Sequence, residues 1–544
     1  MIRHARSSLG GLGLAVLASC ASPGAPPEAM PRPANPEASA VLPGPQPRPG
    51  ATLPQIHEDD LRLRIGILAH DSLAGRESGT PGKAMAGAYL AAEVARLGLL
   101  PGGDGETFFQ AVPLERRETR VTLDHRPEIG AAPGPRLSLD DLAFISGLAG
   151  IPATARTEGD GPLVWGGYLV DPSVPPGALA PEALLDAVVI MSVQPSPGVE
   201  GDAMELPPRP ELATLLGPMS PASAVVLVAD GDVAEFWDYA VDLARKGAVT
   251  RPQGDAPLDG PPFFLIHPQA LERLLGGPVT ENAHPVTSGL GNVAFTLETA
   301  VTPFHDRNVI AIVPGADPEF AGEFMTLGAH YDHLGIGAPI DGDSIYNGAQ
   351  DNASGTAALL EVAEYLAHLP ELERPRRSVL FIWSAAEEWG LLGSEFFTDS
   401  PTVPRDRMVA HLNLDGVGRN HPDTVFLTGS RRLSTEFGAW IEAANEALER
   451  SFFLDYTYDT PGHPDRIYCG SDHWSFARYG IPSAMIGELF DDYHKPSDTA
   501  NRIEYEKVTR VAHFATRIAL QVANAPGRPF VDGPIPDPGA PCAG

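Results

Sequence analysis

The chain has 544 residues, of which 70 are acidic and 38 are basic, so its formal net charge at neutral pH is −32. This length is sufficient for two or three domains with a substantial apolar core. The acidic balance argues against a nucleic-acid-binding protein, which needs a basic surface for the phosphate backbone. It does not by itself indicate a metal site, because a handful of carboxylates is enough to hold one.

The first twenty residues have the layout of a secretory signal. Arg3 and Arg6 precede a short apolar run, and the sequence Leu-Ala-Ser-Cys ends at Cys20. This ending resembles a bacterial lipobox, and the alternative is an ordinary signal peptide with a chance cysteine. We expect the protein to be an exported lipoprotein with a lipid on Cys20. The lipid would anchor it on the periplasmic side of a membrane, for which the outer membrane is the first candidate, or at the cell surface. The apolar run is too short to span a bilayer.

Composition divides the rest of the chain into five segments. Residues 21–55 are rich in Pro and Ala and predict a disordered tether. Residues 56–140 show helical periodicity and predict the N-terminal part of the main domain. Short β-like runs between Pro/Gly loops predict an inserted β-rich domain at 141–300. Alternating strand and helix patterns predict an α/β domain at 301–525, and Pro/Gly-rich residues 526–544 predict a disordered tail.

Within the predicted α/β domain, potential metal ligands lie at the ends of predicted elements. His330 follows one apolar run, and Asp351 opens a helical pattern with oxygens suited to capping. Glu387 and Glu388 come a few residues after a second strand-like run. Because open α/β sheets place their chemistry at the carboxyl ends of strands, we expect these side chains to converge.

Two further positions complete the predicted site. Asp415 ends another apolar run, and His494 lies in a late polar loop. A site for two zinc ions needs two or three ligands per metal, one bridging carboxylate and an open position for water. His330, Asp351, Glu388, Asp415 and His494 supply that number and mixture of ligands. Asp332 is placed to accept the second ring N–H of a liganded histidine.

The order of these motifs resembles the zinc aminopeptidases of peptidase family M28. The shared patterns are H-x-D at 330–332, D-x-A-S-G at 351–355, a glutamate pair, D-x-x-G at 415–418 and a late Tyr-His. The resemblance is close over residues 301–510 and looser over 57–140. It implies an α/β fold with a mixed central sheet flanked by helices. The inserted segment resembles a protease-associated domain by its placement.

The resemblance also implies a role for each matching residue. It implies two zinc ions per chain, one held by His330, Asp351 and Asp415, and one held by Asp351, Glu388 and His494. Glu387 is then the general base, and Tyr493 resembles the tyrosine that stabilises the tetrahedral oxyanion. Asp472 and His473 match a Ser-Asp-His segment of the family. They either line the pocket for the substrate N-terminus or form a structural hydrogen-bonded pair.

The sequence therefore predicts an exported zinc aminopeptidase that hydrolyses the N-terminal bond of a peptide or aminoacyl substrate. Two alternatives stay open: an acyltransferase of the glutaminyl cyclase type with one zinc, and a binding module without catalysis. His333, Ser471 and Cys469 are interpreted as structural. Cys469 and Cys542 form either a disulfide, which export permits, or two free thiols.

Overall fold

The structure is a computed structural model that describes residues 52–126, 134–138, 141–144, 156–170, 184–195, 219, 221–230, 237–252, 261–275, 277, 290–460, 463, 465–539 and 542. The predicted signal segment, the lipid attachment at Cys20 and nearly all of the predicted tether lie outside these residues. None of the helices described is long and apolar enough to cross a membrane.

The described residues contain nine α-helices. They are α1 (Glu58–Leu68), α2 (Pro81–Arg96), α3 (Trp237–Lys246), α4 (Pro268–Leu275), α5 (Gly355–Ala367), α6 (Leu392–Asp399), α7 (Thr435–Glu446), α8 (His473–Ala477) and α9 (Tyr505–Asn524).

The same residues contain eighteen β-strands. They are β1 (Leu100–Pro101), β2 (Phe109–Arg126), β3 (Arg136–Leu137), β4 (Leu142–Phe144), β5 (Arg156–Val170), β6 (Val188–Pro195), β7 (Ala224–Val228), β8 (Ala248–Thr250), β9 (Phe263–Ile266), β10 (Asn292–Val313), β11 (Phe324–His330), β12 (Gly335–Ile340), β13 (Asp343–Tyr346), β14 (Ser378–Ser384), β15 (Met408–Asp415), β16 (Thr424–Thr428), β17 (Phe453–Asp455) and β18 (Ser483–Gly487).

The described chain divides into two compact units. The inserted unit comprises Leu114–Pro303. The other unit comprises the described residues up to Pro113 and those from Phe304 onward, and we call it the catalytic unit because all the predicted site residues that the structure describes lie in it. Each of the five clusters of buried apolar side chains that the structure describes lies within one unit. The sequence placed the insert at 141–300, whereas the contacts assign it about 27 further residues on its N-terminal side, from Leu114.

In the inserted unit, strands β5, β6, β7 and β9 are parallel neighbours in that order. Strand β4 pairs antiparallel with β9, and the first half of β10 pairs antiparallel with β5. The buried strands are continuous runs of β-branched and other apolar residues, as in Ala224–Val228, because both faces of the sheet are covered. Helices α3 and α4 also belong to this unit, which the sequence analysis described only as β-rich.

The catalytic unit has a mixed sheet in the order β17-β16-β18-β15-β11-β14-β10-β1. Its four central strands, β18, β15, β11 and β14, are parallel to one another. Buried side chains of α1, α2, α5 and α9 join one face of this sheet in a single apolar cluster. This is the predicted class, a mixed sheet flanked by helices.

The C-terminal segment differs from its prediction as a disordered tail. The backbone N–H of Asp532 donates to Leu433 O at 3.0 Å, and the N–H of Thr435 donates to the Asp532 carboxylate at 2.9 Å. A disulfide joins Cys469 to Cys542, with their Cα atoms 5.8 Å apart. Pro and Gly exclude regular helix or strand here, but hydrogen bonds to the catalytic unit order the described part of the segment all the same.

Candidate metal centre

Three adjacent parallel strands bring the predicted ligands to one edge of the sheet. Strand β11 ends at His330, which lies opposite Ser384 at the end of β14. On its other side, β11 pairs with β15 in a register that aligns Gly328 with Asn413, so Asp415 comes level with His330. The carboxyl ends of β11, β14 and β15 therefore meet, as the sequence predicted.

Asp351 lies between the two histidines. Its Oδ1 is 3.2 Å from His330 Nε2, and its Oδ2 is 3.2 Å from His494 Nε2. Asp415 Oδ1 is 3.1 Å from the same nitrogen of His330, and Glu388 Oε2 is 3.1 Å from the same nitrogen of His494. These contacts form two groups that share Asp351, and each group has the composition of one predicted zinc site.

The helix after Asp351 begins later than predicted, and this leaves the Asp351 carboxylate available. Helix α5 starts at Gly355, while Asp351 has φ −108° and ψ 97°, outside the helical region. The oxygen that binds the first helical amide belongs to Asn352, which accepts from Gly355 N–H at 2.9 Å, whereas Ser354 accepts from Val417 N–H in the loop after β15 at 3.1 Å. Asp351 caps no helix and faces the histidines instead.

The electrostatics of the cluster favour a bound cation. Burial alone would lower the pKa of His494, but the carboxylates of Glu388 and Asp351 raise it to about 10. His494 Nε2 is buried without a hydrogen-bond partner although it faces two carboxylate oxygens. Burial would likewise raise the pKa of Asp351, yet the neighbouring histidines hold it well below its ordinary value. Two imidazoles and several carboxylates aimed at common points fit zinc or a similar divalent metal.

The two adjacent glutamates face different histidines because the chain turns sharply before them. Ala386 has a φ of +53°, in the left-handed region. The Asp332 carboxylate accepts the backbone N–H groups of Glu387 at 3.1 Å and Glu388 at 3.3 Å. As a result Glu388 contacts His494, whereas Glu387 Oε2 lies 3.9 Å from His330 Nε2.

Glu387 and Tyr493 both hold their protons strongly. Burial and the carboxylates of Asp415, Glu388 and Asp472 raise the pKa of Glu387 well above its ordinary value, although His330 acts in the opposite direction. Burial and the surrounding carboxylates also raise the pKa of Tyr493, so its hydroxyl remains a hydrogen-bond donor. The Tyr493 ring stacks on His494 with a centroid distance of 3.8 Å.

Asp332 has a different contact from the one expected of it. Its Oδ1 is 3.9 Å from His330 Nδ1, beyond hydrogen-bonding distance, and that nitrogen is buried without a hydrogen-bond partner. Asp332 instead accepts the two amides of the glutamate turn. Its carboxylate therefore orients Glu387 and Glu388, rather than the histidine ring that the sequence analysis assigned to it.

Two residues interpreted as structural contact the ligands directly. His333 Nδ1 is 2.6 Å from Glu388 Oε1, so its ring holds the oxygen that faces away from His494. Ser471 Oγ donates to Asp415 Oδ2 at 2.6 Å and leaves Oδ1 facing His330. A second histidine three residues after His330 was the available signal for His333, whereas nothing local in the sequence marks Ser471.

Asp472 and His473 are both buried, with 1% and 0% of their surface exposed. Asp472 accepts a hydrogen bond from Ser384 Oγ, and its carboxylate is one of the groups that raise the pKa of Glu387. Burial lowers the pKa of His473 to about 3, so its ring stays neutral. Both ring nitrogens of His473 and Oδ1 of Asp472 are buried without hydrogen-bond partners, so the two side chains do not form the hydrogen-bonded pair that was one alternative. The substrate-lining role stays a prediction.

The chain is similar to a known family in sequence. The sequence model of peptidase family M28 matches residues 308–519. Leucine aminopeptidase 2 of Arthroderma otae is 26% identical over 319 residues, which is 51% of this chain and 60% of that protein. Leucine aminopeptidase 1 of Aspergillus fumigatus is 27% identical over 254 residues, 44% of this chain and 61% of that protein. The chain thus spans about three fifths of the length of these curated relatives.

Two solved structures share the fold. An aminopeptidase from Aneurinibacillus sp. strain AM-1 superimposes with a TM-score of 0.54 at 19% identity, covering 88% of this chain and 96% of that chain. A zinc aminopeptidase from Bacillus subtilis superimposes with a TM-score of 0.52 at 19% identity, covering 86% of this chain and 95% of that chain. These similarities confirm the predicted fold class.

Proposed function

Because residues 308–519 of this chain form a domain of peptidase family M28, we propose that the protein is a zinc-dependent aminopeptidase. It would hold two zinc ions, the first on His330, Asp351 and Asp415 and the second on Asp351, Glu388 and His494. The observation that carries the proposal is the position of Asp351, whose two oxygens each lie 3.2 Å from a different histidine. One carboxylate shared in this way suits a pair of metals about 3 to 4 Å apart.

In the proposed reaction, Glu387 accepts a proton from the attacking water and passes it to the leaving amine. The raised pKa of Glu387 would fall beside bound zinc ions, so that its carboxylate is ionised and can accept this proton, while its burial helps it keep the proton until the amine leaves. Tyr493 donates its hydroxyl proton in a hydrogen bond to the developing oxyanion. When bound, the zinc ions would lower the pKa of the water and polarise the scissile carbonyl. Asp332 keeps Glu387 in place through the backbone amide of that residue.

The test is hydrolysis of a panel of aminoacyl amides by zinc-loaded protein, beginning with leucyl because the curated relatives are named leucine aminopeptidases. The matched control is the same leucyl substrate with an acetylated amine. We expect cleavage of the free-amine substrate alone and about two zinc ions per chain by metal analysis. Release of ammonia from glutaminyl peptides with one zinc per chain would replace the proposal with the cyclase alternative. A fully zinc-loaded protein that cleaves nothing would favour a binding module.

We also propose that the protein is exported and lipidated at Cys20, on the strength of the N-terminal sequence. Buried acyl chains contribute about 0.8 kcal/mol per CH₂, and two or more chains hold a protein firmly at a membrane. Cys20→Ser should therefore move the protein from the membrane fraction to the soluble fraction. Cys469→Ser is a matched control that should leave the partition unchanged. Equal membrane partition of Cys20→Ser and the wild type would exclude the anchor.

A further inference from the structure

The backbone that presents Asp351 departs from regular helix and strand geometry. Residues 347–351 lead from strand β13 into a short π-helical turn, Ala349–Ser354, in which Asp351 and Asn352 have non-helical φ and ψ, so their backbone polar groups need partners outside regular structure. Gly348 has a φ of +59°, and a Cβ there would lie 2.1 Å from Asp351 O and 2.5 Å from a carbon of His333. The segment is therefore folded tightly against the metal-binding residues.

Arg76 binds the carbonyl side of this segment. Its Nη1 donates to Asn347 O at 2.6 Å, its Nη2 to Gly348 O at 2.9 Å and its Nε to Tyr331 O at 3.0 Å. The side chain is 1% exposed. The hydrogen bond to Tyr331 joins two residues that are 255 positions apart in the chain. Its φ of +52° is uncommon for a residue with a Cβ and indicates that the surrounding contacts fix this conformation.

Asp498 binds the amide side of the same segment. Its Oδ2 accepts the backbone N–H of Asp351 at 3.0 Å, and its Oδ1 accepts that of Gln350 at 2.9 Å. Its own carbonyl accepts the N–H of Ala349 at 3.2 Å. Asp498 is fully buried and lies four residues after His494, so it also ties the loop of His494 to that of Asp351.

We propose that Arg76 and Asp498 are positioning residues that hold the 347–351 backbone from its two sides and thereby fix how the Asp351 carboxylate is shared between the two metals. The inference rests on the proposed function. A shared carboxylate must direct one oxygen to each of two points, so a small rotation of its backbone would weaken both metal sites together. An arginine that binds carbonyls and an aspartate that binds amides restrain that rotation in complementary ways.

The positive charge of Arg76 also contributes to holding the Asp351 segment in place. Burial lowers the pKa of Arg76 to about 10, although the carboxylates of Asp351, Asp498, Asp332 and Glu388 act in the opposite direction, so it stays protonated at neutral pH. The guanidinium is therefore a fixed positive charge beside a group of carboxylates. Arg76 lies outside the matched family segment, residues 308–519, and reaches the centre from the turn before helix α2.

The test compares three conservative variants of the full chain. Arg76→Lys keeps the charge but cannot reach three carbonyls, and Asp498→Asn keeps the shape but offers one oxygen to two amides. The matched control is Arg377→Lys, a 1% exposed arginine that donates to the carbonyls of Val522 and Ala525. Arg377 precedes strand β14, whereas the glutamates follow that strand, so it lies at the opposite end of the sheet.

Three quantities are measured: the zinc dissociation constants by competition with a chelator, hydrogen exchange of the peptide containing residues 347–352, and the melting temperature. Arg76→Lys and Asp498→Asn should each weaken zinc binding by about 10- to 100-fold. Asp498→Asn should also speed exchange at Gln350 and Asp351. Arg377→Lys should leave zinc binding and this exchange unchanged, whatever its effect on melting.

Two results would overturn the inference: both site variants binding zinc within about threefold of the wild type, or the Arg377 variant weakening zinc binding as much as they do. If Arg76→Lys does not fold, Asp498→Asn decides alone. A wild type that binds two zinc ions but cleaves no aminoacyl substrate would refute the proposed function. The zinc and exchange measurements would still decide the roles of Arg76 and Asp498.

Discussion

Glu387 and Glu388 are neighbours in the chain, yet their surroundings move their pKa values in opposite directions. Burial and three nearby carboxylates raise the pKa of Glu387, whereas His494 and His333 lower the pKa of Glu388 to about 2 despite its burial. A carboxyl group that holds a proton suits acid–base chemistry, and one that stays ionised suits metal binding. The sharp turn at Ala386 and the amide contacts of Asp332 produce this division.

Glu387→Gln should keep both metals and lose catalysis. Glutamine has the size and hydrogen-bonding capacity of glutamate but cannot carry the proton, so we expect kcat to fall by about 10² to 10⁴. The measurement is kcat on the best aminoacyl substrate together with zinc per chain in the same preparation.

Glu388→Gln is the matched control for this prediction. It should lose affinity for one zinc ion, because Glu388 and His494 face each other at 3.1 Å. If Glu387→Gln lost a metal and Glu388→Gln kept both, the assigned roles of the two glutamates would have to be exchanged.

Three of the proposed ligands, His330, Glu388 and Asp415, could be selected from sequence because each comes at or shortly after an apolar run that can be recognised locally. Asp351 was selected from the opening of a helical pattern, and His494 from a late polar loop. The contacts that orient the ligands could not be predicted from the sequence. His333 contacts Glu388 across 55 positions and Ser471 contacts Asp415 across 56, and no local pattern encodes such a pairing. The same holds for Arg76, which contacts Tyr331 across 255 positions.

At the scale of elements, a buried arginine links three helices of the catalytic unit. Arg64 on α1 is fully buried, with Nη1 2.6 Å from Glu361 on α5 and a second ion pair to Glu364. Glu93 on α2 lies 3.8 Å away. Replacing one partner of a buried ion pair is costly because it leaves the others buried without compensation.

Arg64→Met should therefore lower the free energy of unfolding by about 3 to 5 kcal/mol. The loss should be larger at pH 8 than at pH 6. Burial already raises the pKa of Glu361 to about 7 although Arg64 lowers it, so without Arg64 this pKa rises further. A carboxyl whose folded pKa exceeds its unfolded pKa stabilises the fold at low pH and loses that contribution as pH rises. Urea unfolding at both pH values measures the difference.

Arg62→Met on the same helix is the control. Arg62 is about half exposed and pairs with Glu58 one turn away, so its removal should change stability little at either pH. A loss for Arg62→Met equal to that for Arg64→Met would show that the effect comes from the helix rather than from the buried ion pairs.

The disulfide should stabilise the fold through the C-terminal segment. Cys469 and Cys542 are 73 residues apart, and closing a loop of that length restricts the unfolded chain. Cys542→Ser should lower the free energy of unfolding by about 2 to 4 kcal/mol. Dithiothreitol should destabilise the wild type by a similar amount and have no effect on Cys542→Ser. An unchanged wild type under dithiothreitol would contradict this role of the bond.

Element boundaries were less predictable than element types. The apolar run at 325–329 indicated β11 correctly, but the capping residues before α5 suggested a start at Asp351, four residues early. Asn352 does bind the amide of Gly355 at the start of the helix, but Ser354 binds an amide of the loop after β15, and only the structure shows that Asp351 caps no helix. The ordered tail was missed for a related reason, since its partners at Leu433 and Thr435 are about a hundred positions away.

At the scale of the whole molecule, the chain leaves the catalytic unit for the insert and returns from it at the same end of one strand pair. Ile310 N–H donates to Phe108 O at 2.7 Å, and Asn308 Nδ2 donates to Gln110 Oε1 at 3.0 Å. The strands that lead to Pro113 and from Phe304 therefore run side by side within the catalytic unit. No predicted metal ligand lies in the insert.

Replacing residues 114–303 with an Asn-Gly turn should therefore give a folded catalytic unit, because a two-residue turn can join paired antiparallel strands. We expect two zinc ions per chain and cleavage of single aminoacyl amides, with an altered preference among longer peptides. Metal analysis and a peptide panel test this. Loss of a zinc ion from a folded variant would mean that the insert supplies a ligand.

The separation between Arg64 and Glu364 along the chain also sets a minimum delay during synthesis before the two residues can pair. Arg64 and Glu364 are 300 residues apart, and the whole insert is synthesised between them. At about 5 to 20 residues per second, a ribosome needs roughly 15 to 60 s to cover that stretch. Helices α1 and α2 must wait that long, with apolar faces exposed, before the strands that cover them exist. For this chain, the shortest time before these faces can be buried is set by the position of the insert rather than by the speed of folding.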